Sequence, residues 1–139
     1  MNGHESAIAE LKASAVRAAG NSYSPYSRFR VGAAVVAESG KIYSACNVEN
    51  ASFGLTQCAE RAALTAAVSD GAPKGSLLRL LIYTPGLTPH PPCGACRQVM
   101  HELMSEDSVV MSCCDGDEYR VWTRSQYLPD PFIPDVLLK

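Results

Sequence analysis

The sequence predicts a three-layer α/β domain, with helices packed on both faces of one mixed, five-stranded sheet. Three observations carry that prediction. Helix-like and strand-like segments alternate in the order helix, hairpin, helix, strand, helix, strand, strand. "LLRLLIYTP", residues 77–85, is a continuous apolar run of strand length, as in a strand covered on both faces. The 139 residues are 47% hydrophobic and 19% charged, which supplies a packed core and argues against disorder. No repeat, linker or low-complexity stretch divides the chain, so residues 1–139 read as a single domain.

Each element has its own signal. Ile8, Leu11, Ala15 and Ala18/Ala19 recur at helical spacing, giving an amphipathic helix over 6–19 that Gly20 ends. "NSYSPYSRF" is a loop rich in Ser, Tyr and Pro. "VGAAVVA", 31–37, is a buried strand, "ESGK" a hairpin turn, and "IYSACNVEN", 42–50, the returning strand. "CAERAALTAAVSDG" is a helix with Gly71 as its stop signal. After the strand at 77–85 come a Pro-rich loop, a helix from Gly94 to Met104, the strands "SVVMSC" and "YRVWT", and the tail "SQYLPDPFIPDVLLK".

The formal net charge is -2 and the basic residues are scattered, the densest run being "RFR" at 28–30. Nucleic-acid binding normally leaves a basic patch, so a polynucleotide partner is not expected. The N-terminal residues lack the basic start and apolar stretch of a secretory signal, and no apolar run is long enough to span a bilayer. A cytoplasmic address and no membrane partner follow as expectations. Six cysteines in a reducing compartment suit metal ligands, catalytic groups or small buried hydrophobes better than disulfides.

Two stretches carry chemistry. In "PPCGACRQVM" Cys93 and Cys96 form C-x-x-C at a proline-marked helix start, where two thiols three residues apart share a helix face. The partial positive charge of a helix N-terminus favours thiolate over thiol. In "TQCAERAAL" Cys58 also opens a helix, followed by Glu60 and Arg61. On a continuous helix, residues two apart point about 200° from one another. Cys58 and Glu60 can therefore share a site only over the end of the helix. Two such ends facing each other offer three thiolates to one metal, and zinc suits that set. Three protein ligands leave a fourth position open, the mark of catalytic zinc, which lowers the pKa of a coordinated water to about 7. Glu60 is then the general acid/base, and Arg61 offsets the formal charge of about -1 that three thiolates leave on Zn²⁺.

Simpler readings compete with this one. C-x-x-C alone also serves redox and structural uses. A structural zinc needs a fourth protein ligand, for which Cys46, Cys113, Cys114, His90 and His101 are candidates; otherwise these cysteines read as strand hydrophobes and the histidines as surface residues. Glu60 alone could be an ordinary first-turn acid.

Together, "YSPYSRFRVGAA", "CNVENASFGLTQCAER", "PCGACRQV" and the tail "YLPDPF" resemble the short, free-nucleoside class of zinc-dependent cytidine deaminases, from about Tyr23 to Phe132. The resemblance implies the cytidine deaminase-like fold and hydrolytic deamination of cytidine and 2′-deoxycytidine to uridine and 2′-deoxyuridine in pyrimidine salvage. It implies Zn²⁺ on Cys58, Cys93 and Cys96, with Glu60 moving the proton. It implies that Asn47 and Glu49 hold the ribose 3′-hydroxyl, that Phe29 packs on the pyrimidine, and that the Ala59 and Cys93 backbone meets the base's polar edge. Asn47 and Glu49, two apart in a strand, would face the same way while Val48 faces the core. It implies a homotetramer in which Phe132 from a neighbouring subunit stacks over the base. Phe53 stands where that class more often has tyrosine, a position that approaches the sugar from an adjacent subunit. Tyr127 stands where leucine is more usual. A deaminase of modified or antibiotic aminopyrimidine nucleosides, of the blasticidin S type, and a non-catalytic zinc-binding module are the alternatives.

Overall fold

The computed structural model describes residues 3–138, with side chains described from Ser6 onward; residues 1, 2 and 139, the ends of the span assigned above to the domain, lie outside the described residues. The chain runs α1 (Gly3–Ala19), β1 (Gly32–Ala37), β2 (Ile42–Cys46), α2 (Ala59–Ser69), β3 (Leu77–Tyr83), α3 (Gly94–Leu103), β4 (Met104–Cys113), β5 (Tyr119–Thr123) and the short α4 (Arg124–Tyr127). Two 3₁₀ turns, Phe53–Leu55 and Pro134–Val136, complete it.

The five strands form one sheet in the order β2-β1-β3-β4-β5. β3 and β4 are parallel and every other pair is antiparallel, so the sheet is mixed as expected. Alternation along the strands divides the core into two layers. Ala33, Val35, Leu80, Ile82 and Val110 face α2 and α3, packing with Ala63, Leu64, Ala67, Cys96 and Met100. Ala34, Leu81, Tyr83, Met111 and Cys113 face α1 through Leu11, Ala15 and Ala19. The continuous apolar run predicted for β3 thus has the predicted cause, burial on both faces. Gly32 lets α1 lie close to the sheet: a Cβ there would sit 1.9 Å from the Ala15 carbonyl oxygen.

Three boundaries differ from the sequence reading. β2 ends at Cys46, which pairs with Gly32, the first residue of β1. Beyond it Val48 makes only isolated bridges to Tyr23 and Gln57 and is 47% exposed, so it does not face the core. β4 begins at Met104, directly after α3, and reaches its regular register with β3 only after an irregularity between Leu77 and Arg79. α4 interrupts what the sequence left as tail, closed by a capping box between Thr123 and Gln126.

The parallel pair fixes where function can sit. In open sheets, ligands bind outside the carboxyl ends of parallel strands. β3 ends at Tyr83, and the loop that follows delivers Cys93 to the start of α3. Among the described residues no helix is long and apolar enough to cross a membrane.

Candidate active site and metal centre

Cys58 is the N-cap of α2 and Cys93 the N-cap of α3. Neither thiol caps the backbone N–H groups of its own helix. Cys96 lies in the first turn of α3 and is fully buried. The three Sγ atoms lie within 4.8 Å of one another, and Cys58 and Cys93 are 3.9 Å apart. Two zinc–sulfur bonds of about 2.3 Å at a tetrahedral angle place their sulfurs roughly 3.8 Å apart. The donor set therefore fits one zinc ion in size as well as in softness. The starts of α2 and α3 bring the three thiols together, as the sequence led one to expect.

The surroundings favour thiolate at Cys58. Cys58 is pushed down to about 5, first by the hydrogen bond from Cys96, then by Arg61 and Cys93. Cys96 is pushed up, because its proton is shared toward the Cys58 thiolate and because it is buried beside the Glu60 charge. Arg61 reaches Cys58 Sγ from Nη2 at 3.3 Å, as charge offset requires, and is itself held more firmly in its charged form by that thiolate. The remaining Nε–H of Arg61 is buried without a partner.

Glu60 is 5% exposed, and burial raises its pKa, with the Cys58 charge adding to the rise. It stands close enough to Cys58 and Cys96 to feel both, yet it is not a member of the three-thiol cluster. A carboxyl beside a metal site, not in it, and with a raised pKa, is suited to accept and return a proton. Ala59, the first residue of α2, is fully buried between these two groups in sequence.

The loop 22–31 is the other wall, tied to the thiol segments where Val48 bridges both Tyr23 and Gln57, next to Cys58, and where Phe29 meets His90, three residues before Cys93. Asn47 Oδ1 accepts from the Ser22 hydroxyl and from Val31 N–H at 2.9 Å, while its Nδ2 donates to the Phe29 carbonyl at 2.8 Å. Glu49 Oε1 accepts from Tyr26 N–H at 3.0 Å and Ser27 N–H at 3.1 Å, and Oε2 accepts from the Ser27 hydroxyl. The Ser27 bond, more than any other, holds the Glu49 carboxyl below the usual carboxylate range. Ser27 Oγ also accepts from Phe29 N–H at 3.0 Å. Arg28 between them takes the left-handed conformation, φ 58°, which turns the chain sharply into Phe29. Phe29 is partly exposed and meets the edge of His90, with ring centroids 5.8 Å apart and planes at 78°. His90 is fixed through its carbonyl, which accepts from Ser112 at 2.6 Å.

Asn47 and Glu49 therefore do converge on one loop, but they do so from a bridged segment after the strand, not from the strand itself. Phe53 is 76% exposed, with its ring against Tyr26 at 5.8 Å. Phe132 is 62% exposed, and it is held at its carbonyl by Gln98. Among the alternative ligands, Cys113 is a buried strand residue, Cys114 is buried just past the end of β4, and His90 is exposed at the Phe29 ring. His101 is not a surface residue: it is nine-tenths buried on α3, where Arg124 donates to its carbonyl at 3.1 Å. The sequence reading passed over Ser22 and Ser27, which hold Asn47 and Glu49, and over the contact of His90 with Phe29. Ser27 had a local signal, since a serine two residues before a turn residue commonly bonds its N–H. The pairing of His90 with Phe29 depends on two distant loops meeting and had none.

Residues 5–113 match the family described as the cytidine and deoxycytidylate deaminase zinc-binding region. The chain is similar to a cytidine deaminase of Sporosarcina psychrophila, 47% identical over 125 residues that cover 90% of each chain. A cytidine deaminase of Halalkalibacterium halodurans is 44% identical over 119 residues, covering 85% of this chain and 88% of its own. Among solved structures, the cytidine deaminase of Burkholderia pseudomallei superposes with a TM-score of 0.85 at 41% identity, covering 95% of this chain and all of that one.

Proposed function

The chain belongs to the cytidine and deoxycytidylate deaminase family, and from that membership we propose that it is a zinc-dependent hydrolase of free pyrimidine nucleosides. It converts cytidine and 2′-deoxycytidine, with water, into uridine and 2′-deoxyuridine plus ammonia, as a step of pyrimidine salvage. The observation that carries this reading is the three-thiol cluster with a buried, non-ligating Glu60 beside it.

Cys58, Cys93 and Cys96 would hold the zinc, and three protein ligands would leave a fourth position for the reaction. When bound, zinc supplies a Lewis acid that makes water nucleophilic at neutral pH. Glu60 does the proton work. Its carboxylate takes a proton from the attacking water, delivers it to ring nitrogen 3, and then serves the departing amine at carbon 4. A carboxyl whose pKa is raised by burial is matched to both directions of that transfer. Arg61 offsets thiolate charge that would otherwise weaken the metal as an acid.

Asn47 and Glu49 orient the sugar. With its bonds to the loop made, the Asn47 amide keeps one N–H and the Glu49 carboxylate one acceptor site. A sugar hydroxyl, both donor and acceptor, is the group that fills that pair. Phe29 packs on the pyrimidine, and the backbone of Ala59 and Cys93 meets its polar edge. The exposed ring of Phe132 and the exposed Phe53 belong to pockets of neighbouring subunits in a homotetramer. The chain acts as one deaminase domain, with a cytoplasmic address.

The test is to mix the purified protein with cytidine, follow the ultraviolet change to uridine, and measure zinc on the same sample. Turnover with about one zinc per chain is expected from three ligands per chain. Zinc without turnover of either nucleoside would overturn the substrate, and absence of zinc would overturn the ligand assignment.

A further inference from the structure

We propose that Gln98 is a positioning residue for the reaction: from the metal-binding helix it fixes the carbonyl of Phe132 and so aims the ring that the chain lends to a neighbouring pocket. This rests on the reading above that Phe132 closes a neighbour's site.

The tail is held at two points, both from α3. Tyr127 is fully buried, with its hydroxyl 3.0 Å from that of Ser108, and its carbonyl accepts from Arg97 at 3.3 Å. The chain then passes through Pro129 and Pro131, which stiffen it by fixing their own φ and restricting the residue before each. At Phe132 the carbonyl accepts from Gln98 Nε2 at 2.8 Å. With backbone fixed at both ends and prolines between, Phe132 stays 62% exposed and outside the hydrophobic core. An aromatic that must stack on a ligand held by another chain needs its backbone fixed in advance; otherwise ordering the tail opposes binding. Gln98 supplies that fixation with a neutral donor, and neighbouring Arg97 ties the same helix to Pro92, just ahead of Cys93, at 2.9 Å.

The test uses the zinc-loaded full chain. Gln98→Ala should lower kcat/KM for cytidine about fivefold to tenfold, chiefly through KM, as loss of one ordering hydrogen bond implies. Zinc per chain should be unchanged. Gln98→Lys keeps a donor toward the carbonyl and should restore most of the loss. Hybrids with Glu60→Gln subunits, whose tails are intact but whose own pockets are silent, separate the routes. Gln98→Ala pockets should regain activity per working site when they receive intact tails. Phe132→Ala in the same hybrids tests the underlying reading. Recovery for Phe132→Ala but not for Gln98→Ala would overturn the role of Gln98 while leaving the shared pocket intact. No recovery for either would overturn the shared pocket and the proposal with it. Loss of zinc in Gln98→Ala would also overturn it, since the residue would then act on its own metal site.

Discussion

Glu49 and Cys58 flank the same short turn, Phe53–Leu55, and are satisfied in opposite ways. Glu49 receives two backbone N–H groups and a hydroxyl from its own chain, and those bonds hold its charge. Cys58 has for neighbours two further thiols and one guanidinium, and its thiolate charge is held by the Cys96 hydrogen bond and by Arg61. The loop wall is finished by the chain itself; the thiol wall is finished by a metal. The difference teaches where each kind of order comes from. Backbone donors preorganise recognition, whereas charge left over at two helix ends preorganises chemistry.

The largest effect should come from breaking the thiol wall. Cys93 is exposed, so Cys93→Ser removes a ligand with little cost to packing. Zinc should fall from about one per chain toward none, and turnover should disappear, while near-ultraviolet circular dichroism from the loop tyrosines stays the same. Full zinc and turnover in this variant would remove Cys93 from the ligand set. Next comes Glu60→Gln, which keeps shape and removes the proton carrier. It should retain zinc and lose about 10²–10⁴ in kcat. Zinc loss there would make Glu60 a ligand and not a base.

A smaller effect isolates Arg61. Thiolate is the charged form, and Arg61 is among the groups that pull Cys58 down to about 5. In the metal-free protein, alkylation of Cys58 needs thiolate. Its rate should therefore stay flat as pH falls from neutral and drop only as pH passes about 5. Arg61→Ala should move that midpoint upward, and in the zinc-loaded enzyme it should lower kcat with less effect on folding. An unmoved midpoint and unchanged kcat would strip Arg61 of its charge-offsetting part.

The two walls were also unequally legible in the sequence. The thiol wall follows from local rules: an N-cap position, a C-x-x-C spacing and the geometry of a helix end each sit within one short segment. The chain order of the elements and the double burial of the sheet were legible for the same reason, from the apolar run of β3, interrupted only by Arg79. The loop wall depends on contacts distant in sequence. Asn47 is held by Ser22 and Val31, and Phe29 meets His90 from a separate loop. β2 is shorter than its own residues suggest because its antiparallel partner β1 begins only at Gly32, so the ladder ends at Cys46. Val48 was accordingly placed inside although it lies outside. His101 was read as polar and so exposed, but α3 turns it inward, where burial holds it below its usual pKa.

The smallest effect should come from the loop wall, and Ser27 is where to look for it. One oxygen there serves two partners: it donates to the Glu49 carboxylate and accepts from Phe29 N–H. It thus ties the group assigned to the sugar to the ring assigned to the base. Ser27→Ala leaves both partners near water, because this turn is exposed, so no buried group is orphaned. The cost is then one ordinary hydrogen bond's worth of order, roughly 1 kcal/mol, or about fivefold in KM for cytidine. The chemistry lies on the other wall, so kcat should hold. Ser27→Thr, which keeps the hydroxyl, should recover KM. If kcat fell with KM unchanged, the two walls would be coupled in the transition state, and recognition and proton transfer could no longer be assigned to separate halves of the pocket.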